Sequence, residues 1–89
     1  MRIYYVNEQL QDKLKKIAKK DKTLHEQILN KMNEIGDSYD IEHYKNLKYN
    51  LKDSKRVHIG SFVLIFQYDK NRNIIYFDDF DHHDEVYRR

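Results

Sequence analysis

Residues 55–68 read KRVHIGSFVLIFQY, and this stretch decides the fold. Its first five residues alternate, with Val57 and Ile59 on one face and Arg56 and His58 on the other. Such alternation is typical of a strand that buries one face and leaves the other open. Residues 62–68 (FVLIFQY) follow and carry apolar side chains on both faces, which indicates a central strand.

The continuation completes a sheet. Residues 62–68 form the central strand, residues 69–73 (DKNRN) form a hairpin turn, and residues 74–80 return as the next strand. Together with the strand that starts at Lys55, they predict a three-stranded antiparallel β-meander.

The chain before the meander predicts one strand and two helices. Residues 2–6 are rich in β-forming side chains. Two helical segments follow, separated at Asp21 and Lys22, and such a short connection predicts an antiparallel helical hairpin. The apolar positions of the two helices are Leu10, Leu14, Ile17, Ala18, Leu24, Ile28, Met32 and Ile35.

Polar residues and glycine mark the predicted helix ends. Asn7 is expected to cap the first helix, and Thr23 with Glu26 forms a predicted capping box for the second. Gly36 is predicted at the position just past the second helix. Tyr44, Leu47, Tyr49 and Leu51 then predict a weak strand, or a strand and loop, of loosely defined register.

These elements give an α+β fold of two layers in the order β-α-α-β-β-β, with the helical hairpin on one face of a mostly antiparallel sheet. The length of 89 residues predicts one domain spanning residues 1–89. The predicted core joins Val57, Ile59, Val63, Ile65, Ile75 and Phe77 of the sheet to Leu14, Ile17, Ile28 and Met32 of the helices.

Composition favours a soluble cytoplasmic protein. The chain has no cysteine, which fits a reducing compartment. No apolar stretch approaches the roughly 20 residues that a membrane span needs, and no apolar signal segment follows the first residues. We therefore expect no membrane partner.

The sequence offers candidates for acid–base chemistry at the ends of adjacent strands. Arg56 can bind a phosphate, and His58 and His83 can move protons near neutral pH. Tyr87 can stack on a base or hydrogen-bond a phosphate. Side chains of these kinds are what a metal-free ribonuclease needs, and no cofactor is expected.

The order of elements and the closing His83-x-x-x-Tyr87 resemble the RelE/ParE toxin superfamily of toxin–antitoxin systems. Asn46-Leu47-Lys48 resembles the segment that opens the sheet in many members, and residues 55–66 resemble the hairpin of the YafQ-like branch. The resemblance covers essentially the whole chain and implies a RelE-like fold.

The resemblance also implies a function. Ribonuclease members of the family are hydrolases that inhibit translation by cutting mRNA in the ribosomal A site without a metal. The 2′-hydroxyl attacks the neighbouring phosphate. In this chain Arg56, His58, His83 and Tyr87 would form the catalytic site, and Lys48, Lys52 and Lys55 would bind the RNA backbone. The implied partners are the ribosome, mRNA and a cognate antitoxin that blocks the site.

Two alternatives remain open at this point. The chain could be a toxin of the same fold without nuclease activity, such as a ParE-like gyrase inhibitor or an inactive antitoxin-binding module. In addition, the acidic run from Asp78 to Glu85 opposes an incoming phosphate unless cations balance it. With His82 and His83 the same run could bind a divalent metal, although neighbouring residues on a strand point to opposite faces and converge poorly on one ion.

Overall fold

The computed structural model describes residues 1–46 and 54–88, which form a helical layer packed on a four-stranded sheet. The elements are β1 (Ile3–Val6), α1 (Glu8–Lys20), α2 (Lys22–Gly36), a 3-10 turn (Ile41–His43), β2 (Lys55–Ile59), β3 (Phe62–Asp69), β4 (Ile74–His82) and α3 (His83–Arg88). The predicted order of strand, helical hairpin and three strands is confirmed, and α3 is an element that the sequence analysis did not predict.

The strand order in the sheet is β1-β4-β3-β2. The meander is antiparallel throughout, whereas β1 runs parallel to β4, with Ile3 opposite Ile74. The register of β3 on β4 shifts between Ile65 and Phe66, which marks a bulge in the sheet. The first strand of the chain therefore lies at the edge opposite β2.

Helix starts follow side-chain capping, but the second start differs from the prediction. Asn7 caps α1, as predicted, by accepting a hydrogen bond from the Leu10 N–H at 2.8 Å. The capping box at Thr23 is wrong, because Asp21 caps α2 by accepting from the Leu24 N–H at 3.0 Å. A single residue therefore both ends α1 and starts α2, which fixes the tight turn of the hairpin.

Gly36 is the last residue of α2, so its predicted position beyond the helix is wrong. The helix is instead closed at Asp37, whose backbone N–H donates to the Asn33 carbonyl at 2.9 Å. A Cβ at position 36 would lie 3.3 Å from the side-chain Cε of Met1. Gly36 is therefore a helical residue beside an exposed, flexible side chain, and not the residue of a left-handed turn.

The main core lies between the helices and the sheet. As predicted, Ile59, Ile75 and Phe77 pack there with helix residues, and Val57 and Ile17 pack against it while partly buried. The sheet residues of the core also include Leu64, Phe66 and Phe80, and the buried helix residues are Leu10, Leu14, Ile28, Met32 and Ile35.

Val63 and Ile65 were predicted in this core, and that placement is wrong. They lie on the other face of the sheet, in a second buried cluster with Val86 of α3. The register explains the difference, because Val63 pairs with His58 and Ile65 pairs with Arg56, the open-face residues of β2. Both faces of β3 are therefore buried, one by the hairpin and the other by α3.

The weak strand predicted around residues 44–51 falls partly outside the described residues. Before it, residues 41–43 form a 3-10 turn with Ile41 buried in the core. Asn46 makes an isolated antiparallel bridge to Lys55. Residues 47–53, which include Leu47, Tyr49 and Leu51, lie outside the described part of the chain.

Gly60 in the β2–β3 turn has a φ of 59°, which strongly favours glycine. We expect Gly60→Ala to lower the free energy of unfolding by about 1 kcal/mol or more, because a Cβ strains the left-handed backbone. The measurement is equilibrium urea unfolding.

Gly36→Ala is the matched control and should cause no loss of unfolding free energy, since the exposed side chain of Met1 can move. Equal losses in the two variants would contradict this explanation.

Candidate active site

The four residues predicted as catalytic lie together. Arg56, His58, His83 and Tyr87 line an open pocket of about 400 Å³ on the sheet face that the hairpin does not cover. The alternation of β2 places Arg56 and His58 on this face, as predicted. His83 and Tyr87 come from α3, where a spacing of four residues puts them on one side of the helix.

The second buried cluster holds α3 in position. Val86 is 3% exposed and packs with Val63 and Ile65 of β3. β4 ends at His82 and α3 begins at His83, whose N–H donates to the Ser61 carbonyl at 2.8 Å. Val86 therefore fixes the distance between the α3 half of the pocket and β2.

Arg56 and His58 are in direct contact. Nη1 of Arg56 donates to Nε2 of His58 at 2.9 Å, which requires a neutral imidazole with its proton on Nδ1. Burial, then the charges of Arg56 and His83, hold the pKa of His58 below its ordinary value. The lowered pKa favours the neutral form of His58 at neutral pH.

The guanidinium of Arg56 has unused donor capacity. Its Nε is buried and has no hydrogen-bond partner among the described residues. Its Cζ lies 5.8 Å from the centre of the Tyr87 ring, which is within the range of a cation–π contact. The arginine is thus held between an aromatic ring and an imidazole and can still donate to a further acceptor.

His83 has a carboxylate partner. Its Nδ1 lies 3.1 Å from Oδ1 of Asp84, so the ring can donate to the carboxylate and direct Nε2 elsewhere. The centre of its ring is 5.9 Å from that of His58 and 4.8 Å from that of Tyr87. The two histidines are therefore neighbours with different partners, one a cation and the other an anion.

The predicted RNA-binding lysines do not join this pocket in the described residues. Lys48 and Lys52 lie outside the described part of the chain. Lys55 shares the face of Val57 and Ile59, and its side chain is 8% exposed. Its ammonium donates to the Tyr44 carbonyl at 3.3 Å and to Oδ1 of Asn46 at 3.1 Å, and lies 3.6 Å from Glu42. The alternation of β2 already carries this signal, because residue 55 has the parity of the apolar positions.

Cations and amides offset part of the acidic run from Asp78 to Glu85. Lys13 of α1 lies 2.7 Å from Asp79 and 3.7 Å from Asp81, and Arg88 lies 3.2 Å from Glu85. Gln67 donates to Asp78, whose pKa is raised chiefly by burial.

Within residues 1–46 and 54–88, no group of three or more metal-ligating side chains is placed to hold an ion. No helix in the same ranges is long and apolar enough to cross a membrane.

Comparison with known proteins identifies the family. The model of the ParE toxin of type II toxin–antitoxin (parDE) systems matches residues 4–87. A protein of Methanocaldococcus jannaschii named as toxin RelE4 is 49% identical over 77 residues, which cover 85% of this chain and 80% of that protein. The chain belongs to the RelE/ParE toxin family. It is a toxin of a type II toxin–antitoxin system, and the resemblance predicted from its sequence is confirmed.

Solved structures show that the toxin has a RelE-like fold, as predicted. Isolated RelE of E. coli superimposes with a TM-score of 0.74 at 18% identity, covering 99% of this chain and 93% of that one. The intact E. coli RelBE toxin–antitoxin complex gives a TM-score of 0.72 at 18% sequence identity. The match covers 92% of this chain and 96% of that chain. YafQ of E. coli gives a TM-score of 0.72 at 15% sequence identity, covering 98% of this chain and 99% of that chain.

Two site features of the toxin escaped sequence reasoning. Asp84 was considered only as part of an acidic run, yet it is the hydrogen-bond partner of His83. Val86 was not assigned to the core, yet it anchors α3. A helix of six residues makes fewer than two turns, so its apolar periodicity gives no readable signal.

Proposed function

We propose that this toxin is an mRNA endoribonuclease that acts on translating ribosomes and requires no metal. The observation that carries the proposal is the pocket in which β2 and α3 bring together Arg56, His58, His83 and Tyr87. The pocket combines a cation for phosphate, two imidazoles with opposite electrostatic surroundings and an aromatic ring. General acid–base cleavage of RNA needs these groups within reach of one phosphate.

Arg56 is assigned to the scissile phosphate. A guanidinium binds phosphate oxygens through two parallel N–H groups, and the Nε–H of Arg56 lacks an acceptor among the described residues. When the arginine turns to the phosphate, it releases Nε2 of His58 from their mutual hydrogen bond. Substrate binding therefore exposes the lone pair that the next step uses.

His58 is assigned as the general base. Its lowered pKa keeps the imidazole neutral, so that Nε2 can take the proton of the ribose 2′-hydroxyl. The 2′-oxygen then forms a bond to phosphorus. The developing negative charge on the phosphate oxygens is stabilised by Arg56.

His83 is assigned as the general acid. As the bond between phosphorus and the 5′-oxygen breaks, protonated His83 gives its Nε2 proton to that oxygen. The products are a 2′,3′-cyclic phosphate and a 5′-hydroxyl end. The carboxylate of Asp84, at 3.1 Å from Nδ1, orients the ring and leaves Nε2 directed to the substrate. Tyr87, packed edge-on to His83 and 41% exposed, positions the substrate.

RNA backbone contacts outside the pocket are assigned to Lys48 and Lys52. Lys55 is left out of this role, because its ammonium is engaged with three groups on the core side of β2. The remaining partners are the ribosome that presents the mRNA and a cognate antitoxin that covers the pocket, both in the cytoplasm.

A second candidate is a toxin that does not cut RNA, such as a ParE-like gyrase inhibitor or an inactive antitoxin-binding module. It is supported by the ParE description of the matching family. To separate the two, we would express the toxin in growing cells, map mRNA 5′ ends by primer extension and measure plasmid supercoiling. In-frame cuts with unchanged supercoiling support the nuclease. Lost supercoiling without cuts would support the gyrase inhibitor.

The proposed role of His58 as general base predicts how cleavage depends on pH. Because burial and two neighbouring cationic groups lower its pKa, the ring should take up its proton only below the ordinary histidine value of about 6.5. Cleavage should therefore persist at pH 6.5 and fall as pH decreases through the lowered pKa. NMR titration of the His58 ring measures this directly. Arg56→Gln, which removes one positive charge, should raise the pKa. A His58 pKa at or above 6.5 in the wild type would rule out this account.

A further inference from the structure

A second pocket adjoins the proposed active site. It has a volume of about 370 Å³ and lies between α2 and the end of β2. It is lined by Gln27, Asn30, Lys31, Glu34, His58, Ile59 and Gly60. His58 lines both pockets, so the two pockets adjoin at this residue of β2.

The helix wall of this pocket is polar along its whole length. The helix residues occupy positions i, i+3, i+4 and i+7, which places them on one stripe of α2: Gln27, Asn30, Lys31 and Glu34. The amides of Gln27 and Asn30 make no side-chain hydrogen bond within the described part of the chain. Both residues are exposed. Their donors and acceptors are therefore available to a ligand.

The charges in this pocket disfavour a phosphate. Nζ of Lys31 lies 2.9 Å from Oε2 of Glu34, so its positive charge is already balanced. A phosphate here would meet the Glu34 carboxylate. A nucleobase is neutral and carries donors and acceptors along one edge, which amides and a carboxylate can match.

We infer that this pocket binds the base of a nucleotide next to the cleaved phosphate, and that Gln27 and Asn30 read its hydrogen-bonding edge. The inference rests on the proposed function. With the scissile phosphate at Arg56, the neighbouring nucleotide passes the shared residue His58 and its base enters beside α2. Gly60, where a Cβ would meet no atom within 4 Å, leaves the opposite wall open for entry.

The test is a map of cut positions across cellular mRNA for the wild type and for Gln27→Ala/Asn30→Ala. Both residues are exposed on a helix, where alanine is well tolerated, so the fold should be kept. A bidentate contact to a base supports discrimination of roughly 5- to 150-fold. We expect the double variant to keep cutting and to lose at least about fivefold of the preference for one base beside the cut.

Gln9→Ala on the exposed surface of α1 is the matched control and should keep the wild-type profile. An unchanged profile in the double variant would overturn the base pocket and leave the nuclease proposal standing. Loss of all cutting by a folded double variant would also overturn it, because base reading changes the choice of site and not the chemistry. Absence of cuts by the wild type would reject the nuclease and the base pocket together.

Discussion

His83→Ala should reduce mRNA cleavage by about 10²–10⁴-fold, the usual contribution of a positioned general acid. In the proposed mechanism the variant lacks the general acid, while Arg56 can still bind the phosphate and His58 can still act as the base. The side chain of His83 is about half exposed, so its removal leaves the core intact. The measurement is single-turnover cleavage of ribosome-bound mRNA by purified protein.

His25→Ala is the matched control. His25 lies on α2 and has no side-chain hydrogen bond, ion pair or ring contact within residues 1–46 and 54–88. The His25→Ala variant should therefore cleave mRNA at the wild-type rate. Wild-type cleavage by a folded His83→Ala variant would remove His83 from the mechanism. Equal toxicity of both variants without any cuts would turn the search to gyrase or another protein target.

Phe66→Ala should lower the free energy of unfolding by about 3–5 kcal/mol, a large part of the 5–15 kcal/mol of a typical domain. Phe66 is fully buried beside the bulge of β3. Its ring packs against Tyr44 and Phe77, with centres 5.6 Å and 5.9 Å away. Truncation therefore leaves a cavity where the sheet meets the residues that follow α2. Thermal unfolding should show a midpoint lower by at least about 12 °C.

Tyr39→Ala is the control for this variant, because its ring is fully exposed. Its unfolding free energy should stay within about 0.5 kcal/mol of the wild type. A comparable loss in both variants would show that the effect comes from removing an aromatic ring anywhere in the chain, and not from the core between the hairpin and the sheet.

The elements that the sequence predicted are those with a long, regular apolar period. The two helices and the strands of the meander carry such patterns over many residues, and all of them form. The error at the start of the second helix concerns a position where two local solutions compete. Asp21 and Thr23 can both cap a helix, and Asp21 does so because only one residue separates α1 from α2.

The candidate site was predicted in part, for a physical reason. Strand alternation placed Arg56 and His58 on the open face, and side-chain chemistry together with the family resemblance selected His83 and Tyr87. Alternation cannot show which layer covers each face of a strand that is apolar on both. The sequence analysis therefore assigned Val63 and Ile65 to the wrong face of the sheet. It also did not predict α3, which packs on them. The partners of Lys55 in residues 42–46 depend on tertiary contacts, whereas the partner of His83 is its sequence neighbour Asp84.

The parallel pairing of β1 with β4 has a consequence for the synthesis of this protein. The first strand pairs with residues 74–77, so it has no neighbour in the sheet until most of the chain has been made. His83 and Tyr87 follow later still. Under the proposed function, a nascent chain that stops short of α3 lacks His83 and Tyr87, which form half of the pocket, and cannot cut mRNA. The order of the elements along the chain therefore keeps the toxin inactive until its synthesis is nearly complete.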